Sequence, residues 1–313
     1  MKSDQKNYAL PLTALLLVAL ALPVAAQELT IVNTTPGPEY GTSPNDGLSL
    51  PTDVAVGAEG VVYIVDSGRH RVARYSASGN PLGYFSSEGK GEGELQGPVG
   101  IAAGPDGSVY VADRGNQRVQ VFAADGSFRR SLEPVENEVP VTPVDIAVST
   151  NGKSLFITAN NSHRVLSLDR KGKVQAGWGG EGKEPGLFRY PASLALDAAG
   201  KLLVTDVLNF RVQVIDTKGT AATGFGTLGA KQGSFIRPKG IAVGENGRIS
   251  VSDSYLGVVQ VFTTAGEFSG VLGTAGQPAR FEAPTGLVCV GGRLYVTDML
   301  AGKVLSFDVG GLQ

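Results

Sequence analysis

Two aspartates and two histidines are the residues of this sequence whose types and spacing could support chemistry. Asp53 and Asp145 each stand two residues after a proline, and His70 and His163 each stand directly before an arginine. Carboxylate oxygens are ligands for a hard cation such as calcium, whereas imidazole nitrogens are common zinc ligands. A catalytic zinc commonly takes three protein ligands, and the chain has only these two histidines. The four side chains therefore favour a ligand-binding site, or a cation site on the two aspartates, over a zinc centre.

These four residues belong to a larger set that occupies related positions along the chain. Each member lies either at the start of an apolar, strand-like run or in the turn that follows the next such run. The set combines carboxylates, cations and aromatic rings, which is typical of a site for a polar ligand. We predict no catalytic residue within it. The candidate ligand-binding residues are Asp53, Arg69, His70, Asp145, His163, Arg189, Arg237, Lys239 and Tyr255.

A repeat of about 47 residues organises the chain and positions these side chains. Its entering prolines, spaced by 47, 45, 48, 47 and 46 residues, are Pro51, Pro98, Pro143, Pro191, Pro238 and Pro284. Each unit contains β-branched and aromatic runs separated by turn residues, for example Val109–Val111 followed by Asp113–Asn116. A period of this length with four short strands per unit indicates radial blades. The sequence therefore predicts an all-β, six-bladed β-propeller with four-stranded antiparallel blades.

Closing such a ring requires a strand from the other end of the chain. The blades are predicted near residues 50–90, 97–135, 142–180, 190–228, 237–275 and 283–309. The last blade has room for three strands, so the strand-like segment Glu28–Asn33 is expected to supply the fourth, with residues 34–45 as a connector. An open ring would expose a sheet edge and a blade face. Residues 27–313 are therefore expected to form one closed propeller whose turns gather the nine candidate residues at one end of the channel.

An aspartate and an arginine five residues apart flank the same turn in at least three repeats. The pairs are Asp66/Arg71, Asp113/Arg118 and Asp206/Arg211. A feature built into most blades is seldom catalytic, so we interpret these pairs as braces for the turns. Repeats 3, 5 and 6 depart from the pattern: Ala159 replaces the aspartate, Val258 replaces the arginine, and the sixth turn has no asparagine.

The second repeat carries the motifs by which the chain resembles a known family. It contains P-x-G-I-A from Pro98, V-Y-V-A-D from Val109 and N-Q-R-V-Q-V from Asn116, and these motifs resemble the NHL repeat. The connectors before Pro191 and Pro238 also resemble that family, because each ends in G-x-F-x-x-P. The resemblance extends over all six repeats and implies the propeller fold. For a bacterial exported member it also implies a sensor or scaffold role.

The resemblance bears on catalysis and on partners as well. The related peptidylglycine-amidating lyase holds zinc with several histidines, and that ligand set does not carry over. Gluconolactonase-like propellers use carboxylates and asparagines for a divalent cation, a role for which Asp53 and Asp145 are the candidates here. We expect a monomeric, non-catalytic binding, scaffold or sensor module for a protein, peptide or cell-envelope ligand, with no cofactor. The alternative is a metal-dependent lactonase- or lyase-like enzyme with a divalent cation, such as calcium, in the channel.

The first 26 residues have the three parts of a secretory signal peptide. Lys2 and Lys6 form a positive start, residues 9–22 are apolar, and small residues end the segment at Ala26. The remaining chain has 25 basic and 28 acidic residues, a balance that argues against binding a phosphate backbone. The single cysteine, Cys289, rules out a disulfide framework. We therefore expect a periplasmic or secreted protein that binds no nucleic acid and has no membrane insertion after cleavage.

Export should remove the signal peptide after Ala26 and leave Gln27 as the new N-terminus. The small residues at the end of the apolar segment define this cleavage site. Intact-mass spectrometry of the exported protein measures the outcome, with the same chain expressed without residues 1–26 as the mass standard. A mass that still includes Met1–Ala26 would contradict the prediction.

Overall fold

The computed structural model describes residues 29–42, 47–217 and 222–311. These residues form six blade sheets, each with four antiparallel blade strands, and one separate two-stranded sheet; the first strands of the blades contact one another in a ring. The predicted six-bladed β-propeller is therefore confirmed. The predicted signal peptide lies outside the described residues. Within the described ranges, no helix has the length and apolar character needed to cross a bilayer.

Blades 1 to 5 run outward from the channel in sequence order, and blade 6 takes its outer strand from the N-terminal segment. Blade 1 contains Pro51–Val56, Val62–Asp66, Arg71–Tyr75 and Pro81–Phe85, and blade 2 contains Pro98–Ala103, Val109–Asp113, Arg118–Phe122 and Phe128–Leu132. Blade 3 contains Pro143–Val148, Ser154–Ala159, Arg164–Asp169 and Val174–Gly179, and blade 4 contains Pro191–Leu196, Leu202–Asp206, Arg211–Ile215 and Ala222–Phe225. Blade 5 contains Pro238–Val243, Ile249–Asp253, Val258–Phe262 and Phe268–Thr274, the last paired with Gln277–Pro278. Blade 6 contains Pro284–Val290, Arg293–Asp298, Lys303–Asp308 and the N-terminal strand Thr35–Tyr40. Short 3-10 turns lie at Ala58–Gly60, Ser67–Arg69, Arg114–Asn116 and Val207–Asn209.

The first strand begins at the same end of the blade as the turn between the second and third strands. In blade 1, Pro51 pairs with Asp66, and Asp66 pairs in turn with Arg71. The connectors between blades arrive at this end, which we call the entry face. Three of these connectors are anchored by fully buried side chains, Leu95, Phe188 and Phe235.

The N-terminal segment closes the ring, but the closing strand is Thr35–Tyr40 rather than the predicted Glu28–Asn33. Thr35–Tyr40 pairs antiparallel with Lys303–Asp308 and is the outer strand of blade 6. Ile31–Asn33 instead pairs in parallel with Phe268–Thr274 at the outer edge of blade 5. The two prolines in T-P-G-P-E-Y predicted a connector. An outermost strand tolerates proline, however, because one of its edges needs no hydrogen-bond partner.

The apolar core lies between neighbouring blades rather than inside any one blade. Among the described residues, six clusters of buried side chains fill the six interfaces between adjacent blades. The interface between blades 6 and 1 depends on Tyr40, whose ring centroid lies 5.8 Å from that of Tyr75 and 5.9 Å from that of Tyr295. The Tyr40 hydroxyl donates to the carbonyl of Ala77 at 3.1 Å. The N-terminal strand therefore supplies core as well as backbone pairing.

A buried carboxylate supports the entry face of every blade except blade 3. In blade 2, Asp113 accepts hydrogen bonds from the N–H of Gln96 at 2.7 Å and from Nδ2 of Asn116 at 2.8 Å. It also forms the predicted ion pair with the arginine five residues later. The three ion pairs are Asp66–Arg71 at 2.7 Å, Asp113–Arg118 at 2.8 Å and Asp206–Arg211 at 2.9 Å.

Blades 5 and 6 keep the carboxylate without the arginine. Asp253 accepts from the N–H groups of Ile236, Arg237, Tyr255 and Leu256, at 2.7 to 3.2 Å. Backbone donors therefore stabilise the buried carboxylate where no arginine is present, because hydrogen bonds to the ionised form of a group favour that form. The main structural role of the buried aspartate is therefore to accept hydrogen bonds from backbone N–H groups of the connector and the turn.

Blade 3 lacks the carboxylate, and an inserted hairpin compensates in part. Ala159 occupies the carboxylate position, and Nε of Arg164 is buried without a hydrogen-bond partner in the part of the chain described. The hairpin formed by Val135–Glu136 and Val139–Pro140 brings the Glu136 carboxylate to 3.4 Å from Nη2 of Arg164. The charge of this arginine is therefore balanced from the connector instead of from the turn.

Removing the closing strand should destabilise the whole ring, whereas removing the strand before it should not. A chain that starts at Thr34 loses Ile31–Asn33, but one that starts at Gly41 loses the outer strand of blade 6 and the Tyr40 ring. The first should melt within a few degrees of the parent and the second far below it. Tyr40→Ala alone should cost about 3–5 kcal/mol, because it empties a buried aromatic site. Calorimetry measures all three, and equal melting temperatures for the two truncations would refute the assignment.

Replacing Asp113 by alanine should destabilise the fold while leaving the channel intact. The change leaves Arg118 buried with an unpaired charge and removes the acceptor of the Gln96 N–H, so we expect a loss of about 3–5 kcal/mol in unfolding free energy. Chemical denaturation measures this loss. Asp308→Ala, at an exposed carboxylate of blade 6, is the matched control and should change stability little. Equal losses in the two variants would count against the brace.

Candidate functional site at the channel mouth

The innermost strand of each blade is an edge strand that borders the central channel. In all six blades its register shifts by one residue between the entering proline and the third residue after it. Such a β-bulge re-aims side chains and leaves backbone groups unpaired. The position two residues after the proline consequently lies on the channel wall. Blades 1 to 6 carry there Asp53, Gly100, Asp145, Ser193, Gly240 and Gly286.

Asp53 joins blades 1 and 2 along the channel. One carboxyl oxygen accepts a hydrogen bond from the N–H of Val54 in its own strand, at 2.8 Å. The other accepts from the N–H of Ile101 in blade 2, at 2.9 Å. Only 9% of Asp53 is exposed, so the carboxyl satisfies edge donors that water reaches poorly. Asp53 is thus a link between strands as well as a channel-lining group.

Asp145 repeats this arrangement between blades 3 and 4. Its two oxygens accept from the N–H of Ile146 at 2.7 Å and from the N–H of Leu194 in blade 4 at 3.0 Å. Ser193, the residue before Leu194, accepts at its Oγ a long hydrogen bond from the N–H of Ile241 in blade 5, at 3.4 Å. Hydrogen bonds therefore run along the channel wall from blade 3 to blade 5.

The inner strand of blade 2 lies between the two strands that carry these carboxyl groups. Gly100 lies between them, and a β-carbon at that position would overlap the carbonyl oxygen of Val144 and lie 2.9 Å from Oδ1 of Asp145. The glycine therefore leaves room for the carboxyl of Asp145 beside the inner strand of blade 2. Burial raises the pKa of both carboxyls, and the negative charge of Asp145 raises the pKa of Asp53 further.

A cavity of about 400 Å³ opens above this pair on the entry face. Its floor is the ring of channel-wall residues, and its rim includes Arg237, Ser254, Glu282, Met299 and Leu300. A second cavity of about 510 Å³ lies below, is lined mainly by apolar residues of the same inner strands, and also touches both aspartates. We call these spaces the mouth cavity and the lower cavity. The aspartate pair forms the waist between them.

Arg237 and Lys239 bring positive charge to the mouth cavity. Lys239 is half-buried, and burial, together with the neighbouring charge of Arg237, lowers its pKa. Among the described residues neither side chain forms an ion pair, and the exposed Glu282 on the rim contacts neither of them in that way. The mouth therefore presents two cations that no carboxylate of the described chain neutralises by contact.

The structure brings four of the nine predicted residues together in this cavity, namely Asp53, Asp145, Arg237 and Lys239. The two histidines do not line it. Nδ1 of His70 accepts from the N–H of Gly97 at 2.9 Å, and Nδ1 of His163 accepts from the N–H of Tyr190 at 3.1 Å. Both imidazoles therefore hold the connector to the next blade, a structural contact that their spacing did not reveal.

The other three predicted residues lie on the entry face outside the cavity lining. Arg69 donates to the carbonyl of Gly47 and lies 3.4 Å from the carboxylate of Asp66. Arg189 contributes a backbone N–H to the buried carboxylate of its own blade, at 2.7 Å. Tyr255 is among the exposed large side chains of the second-to-third-strand turns. These residues surround the mouth without meeting in it.

Sequence reasoning missed the apolar part of this face. Leu208, Tyr255 and Leu300 occupy the same turn position in blades 4, 5 and 6, two residues after the buried aspartate. Blades 1 to 3 have glycine or asparagine at that position, and this contrast was the available signal. Together with two residues that precede entering prolines, these side chains lie on the entry face of four consecutive blades, and each is 41% to 68% exposed. This apolar crescent consists of Tyr190, Leu208, Tyr255, Leu300 and Leu50.

The waist residues do not fit a divalent cation. All four carboxyl oxygens of Asp53 and Asp145 already accept backbone N–H groups. In residues 29–42, 47–217 and 222–311, no three histidine, cysteine, aspartate or glutamate side chains gather as a metal site would require. Calcium takes about six to eight oxygen ligands. This donor set offers far fewer.

Comparison with protein families finds the NHL repeat in three segments of the chain. The matched residues are 48–75, 95–122 and 188–215. These segments cover the first three strands of blades 1, 2 and 4, the blades that keep both members of the Asp–Arg brace. No curated protein sequence matches the chain.

Solved structures with the same architecture include enzymes. A gluconolactonase from Xanthomonas campestris superposes with a TM-score of 0.64 at 16% identity, covering 88% of this chain and 97% of that one. Virginiamycin B lyase from Staphylococcus aureus gives 0.60 at 15%, covering 85% and 82%, and hydrazine synthase from Kuenenia stuttgartiensis gives 0.60 at 12%, covering 83% and 95%. At these identities the likeness is one of fold alone. The chain therefore contains three NHL repeats within a six-bladed β-propeller.

Proposed function

We propose that this chain is an exported, non-catalytic binding propeller that receives a protein or peptide ligand on its entry face. The ligand places a carboxylate in the mouth cavity between Arg237 and Lys239 and lays apolar side chains on the apolar crescent. One observation carries the proposal. Two cations without a carboxylate partner among the described residues stand in one cavity beside exposed apolar side chains.

The electrostatics of the mouth favour an anionic group. The ammonium of Lys239 is partly removed from water and is repelled by Arg237, so its pKa is lowered. A ligand carboxylate relieves both effects, because a charge-assisted hydrogen bond contributes about 1.5–3 kcal/mol. The aspartates on the floor do not supply this interaction, since their oxygens accept backbone N–H groups.

The apolar crescent supports a macromolecular ligand rather than a small free anion. Contiguous exposed apolar side chains on a folded chain mark interaction surfaces, and tyrosine is enriched at their energetic centres. Tyr190 immediately precedes the first strand of blade 4, and Tyr255 lies in the blade 5 turn in which the N–H of Ser254 donates to the carbonyl of Arg237 at 3.0 Å. An apolar peptide that ends in a carboxylate matches this combination of a charged pocket and an apolar border.

Short peptides test the carboxylate directly. N-acetylated apolar tripeptides, each made as the free acid and as the amide, are titrated into the mature protein by calorimetry. We expect acids to bind and the matching amides to bind about 10–100-fold more weakly, as loss of a charged hydrogen bond requires. Lys239→Met should weaken the acids by a similar factor with an unchanged melting temperature, because it breaks no ion pair.

The matched control is Lys173→Met, at an exposed lysine on the opposite end of blade 3, which should leave binding unchanged. Equal affinity for acids and amides, or normal binding by Lys239→Met, would show that a ligand carboxylate does not bind in the mouth cavity. Elemental analysis of the purified protein tests the enzymatic alternative. A stoichiometric metal whose removal by EDTA lowers the melting temperature would favour a lactonase- or lyase-like enzyme instead.

A further inference from the structure

The channel wall of blades 1 to 4 uses one hydrogen-bonding arrangement twice. An aspartate two residues after the entering proline accepts the N–H of the next residue and the N–H at the equivalent position of the next blade. Asp53 does this for Val54 and Ile101, at 2.8 and 2.9 Å. Asp145 repeats it between blades 3 and 4, at 2.7 and 3.0 Å. The β-bulge leaves these N–H groups outside the ladder of their own blade, so each needs an acceptor on the channel wall.

Blades 5 and 6 are the third such pair along the chain, and here the aspartate is missing. Gly240 and Gly286 occupy the two channel-wall positions, so this is the one place in the described ring where consecutive blades have no side chain there. The N–H of Ile241 makes only the 3.4 Å bond to Oγ of Ser193, at the long limit of a hydrogen bond. Leu287 pairs with the second strand in the same register as its counterparts in blades 2 and 4. No acceptor of the described chain takes its N–H.

The chain cannot place a side chain of its own beside the N–H of Leu287. A β-carbon built on Gly240 would lie 3.0 Å from the nitrogen of Leu287, but it would overlap the carbonyl oxygen of Thr285. That carbonyl already accepts the hydroxyl of Ser252 at 2.7 Å. Gly286 lines the mouth cavity and Leu287 lines the lower cavity, so the peptide group between them lies where the two cavities adjoin. An acceptor for this N–H therefore has to enter through a cavity.

We propose that the carboxylate of the mouth ligand takes the place that an aspartate side chain has in blades 1 and 3, and bridges the N–H groups of Ile241 and Leu287. The ligand then supplies the third link of the channel wall, between blades 5 and 6. Arg237 and Lys239 line the same cavity and supply the opposite charge. The inference rests on the proposed function for the carboxylate itself, and it adds the backbone donors that bind this group.

Two backbone donors side by side select a carboxylate over an amide. A carboxylate offers an acceptor oxygen to each N–H, whereas a primary amide offers one oxygen and turns its NH2 group toward the second N–H. The negative group beside this place is Asp53, whose Oδ1 a β-carbon at Gly286 would overlap. Burial raises the pKa of Asp53, which favours its neutral form and limits its repulsion of a ligand carboxylate.

Amide hydrogen exchange of the ligand-free mature protein, measured by NMR, tests the state of the Leu287 N–H. Ile101 and Leu194 are its matched controls, because they hold the same position in blades 2 and 4, are also buried and donate to aspartate oxygens. We expect the Leu287 amide to exchange about 10–100-fold faster than these two, as the lack of a charged hydrogen bond requires. Exchange as slow as that of the controls would overturn the inference, because the N–H would then have an acceptor within the chain.

Acetate is the probe for binding, because it carries the carboxylate and nothing that needs the apolar crescent. At constant ionic strength, acetate should shift the amide signals of Ile241 and Leu287 saturably and slow the exchange of Leu287 about 10–100-fold. Acetamide at the same concentrations should do neither. The amides of Ile101 and Leu194 should not respond to acetate, since the aspartates already bind them. The lack of a saturable response at Leu287 would refute the proposed site.

The tripeptide acids distinguish this site from the proposed function. If they bind by calorimetry while the Leu287 amide responds neither to them nor to acetate, the carboxylate contacts Arg237 and Lys239 alone and the backbone site is wrong. If Leu287 responds to acetate but no tripeptide acid binds, the backbone site is supported and the peptide ligand is not. Both measurements use the unsubstituted mature protein, so neither result depends on whether a variant folds.

Discussion

Backbone N–H groups at the edges of the blades constrain this molecule more than any single side-chain contact does. The innermost strand of every blade has no strand neighbour on its channel side, and the β-bulge after each entering proline turns further donors toward the channel. A buried donor without an acceptor costs about 1–3 kcal/mol. Asp53, Asp145 and Ser193 supply acceptors to inner strands of blades 1 to 5. The polar residues of the channel therefore have a structural role, which is independent of any role in ligand binding.

The same constraint explains the entry face. The connector that enters each first strand brings N–H groups to a place that water does not reach, and a buried aspartate accepts them. Asp253 does so with four backbone donors and no arginine, whereas Asp113 adds the ion pair to Arg118. The arginine thus adds to the hydrogen bonds of the carboxylate but is not required for them, which is why the entry face of blades 5 and 6 forms without an arginine. Blade 3, which lacks the carboxylate, is the blade that carries the extra hairpin with Glu136.

The sequence predicted what repeats and missed what a single blade does differently. The spacing of prolines and the Asp–Arg pairs recur, so the fold class and the braces could be inferred from several copies at once. The closing strand occurs once, and the local composition of T-P-G-P-E-Y concealed a strand whose last residue, Tyr40, is buried against blades 1 and 6. Nδ1 of His70 and Nδ1 of His163 each accept an N–H group 27 residues later in the chain, a contact that the sequence did not predict. Such pairings depend on how blades stack, which residue types alone do not specify.

The channel wall shows how strongly stacking restricts a site. A β-carbon at Gly286 would overlap Oδ1 of Asp53, and one at Gly100 would crowd Oδ1 of Asp145. Each aspartate therefore needs a glycine in the preceding blade, so two aspartates cannot occupy adjacent blades. Blades 1 and 3 with glycine in blade 2 are the closest arrangement that meets this condition. Once the carboxyl oxygens accept backbone N–H groups, the charge left for a ligand is the positive charge of Arg237 and Lys239. The positive charge of the mouth cavity thus follows from the use of the channel aspartates as acceptors for backbone N–H groups of the inner strands.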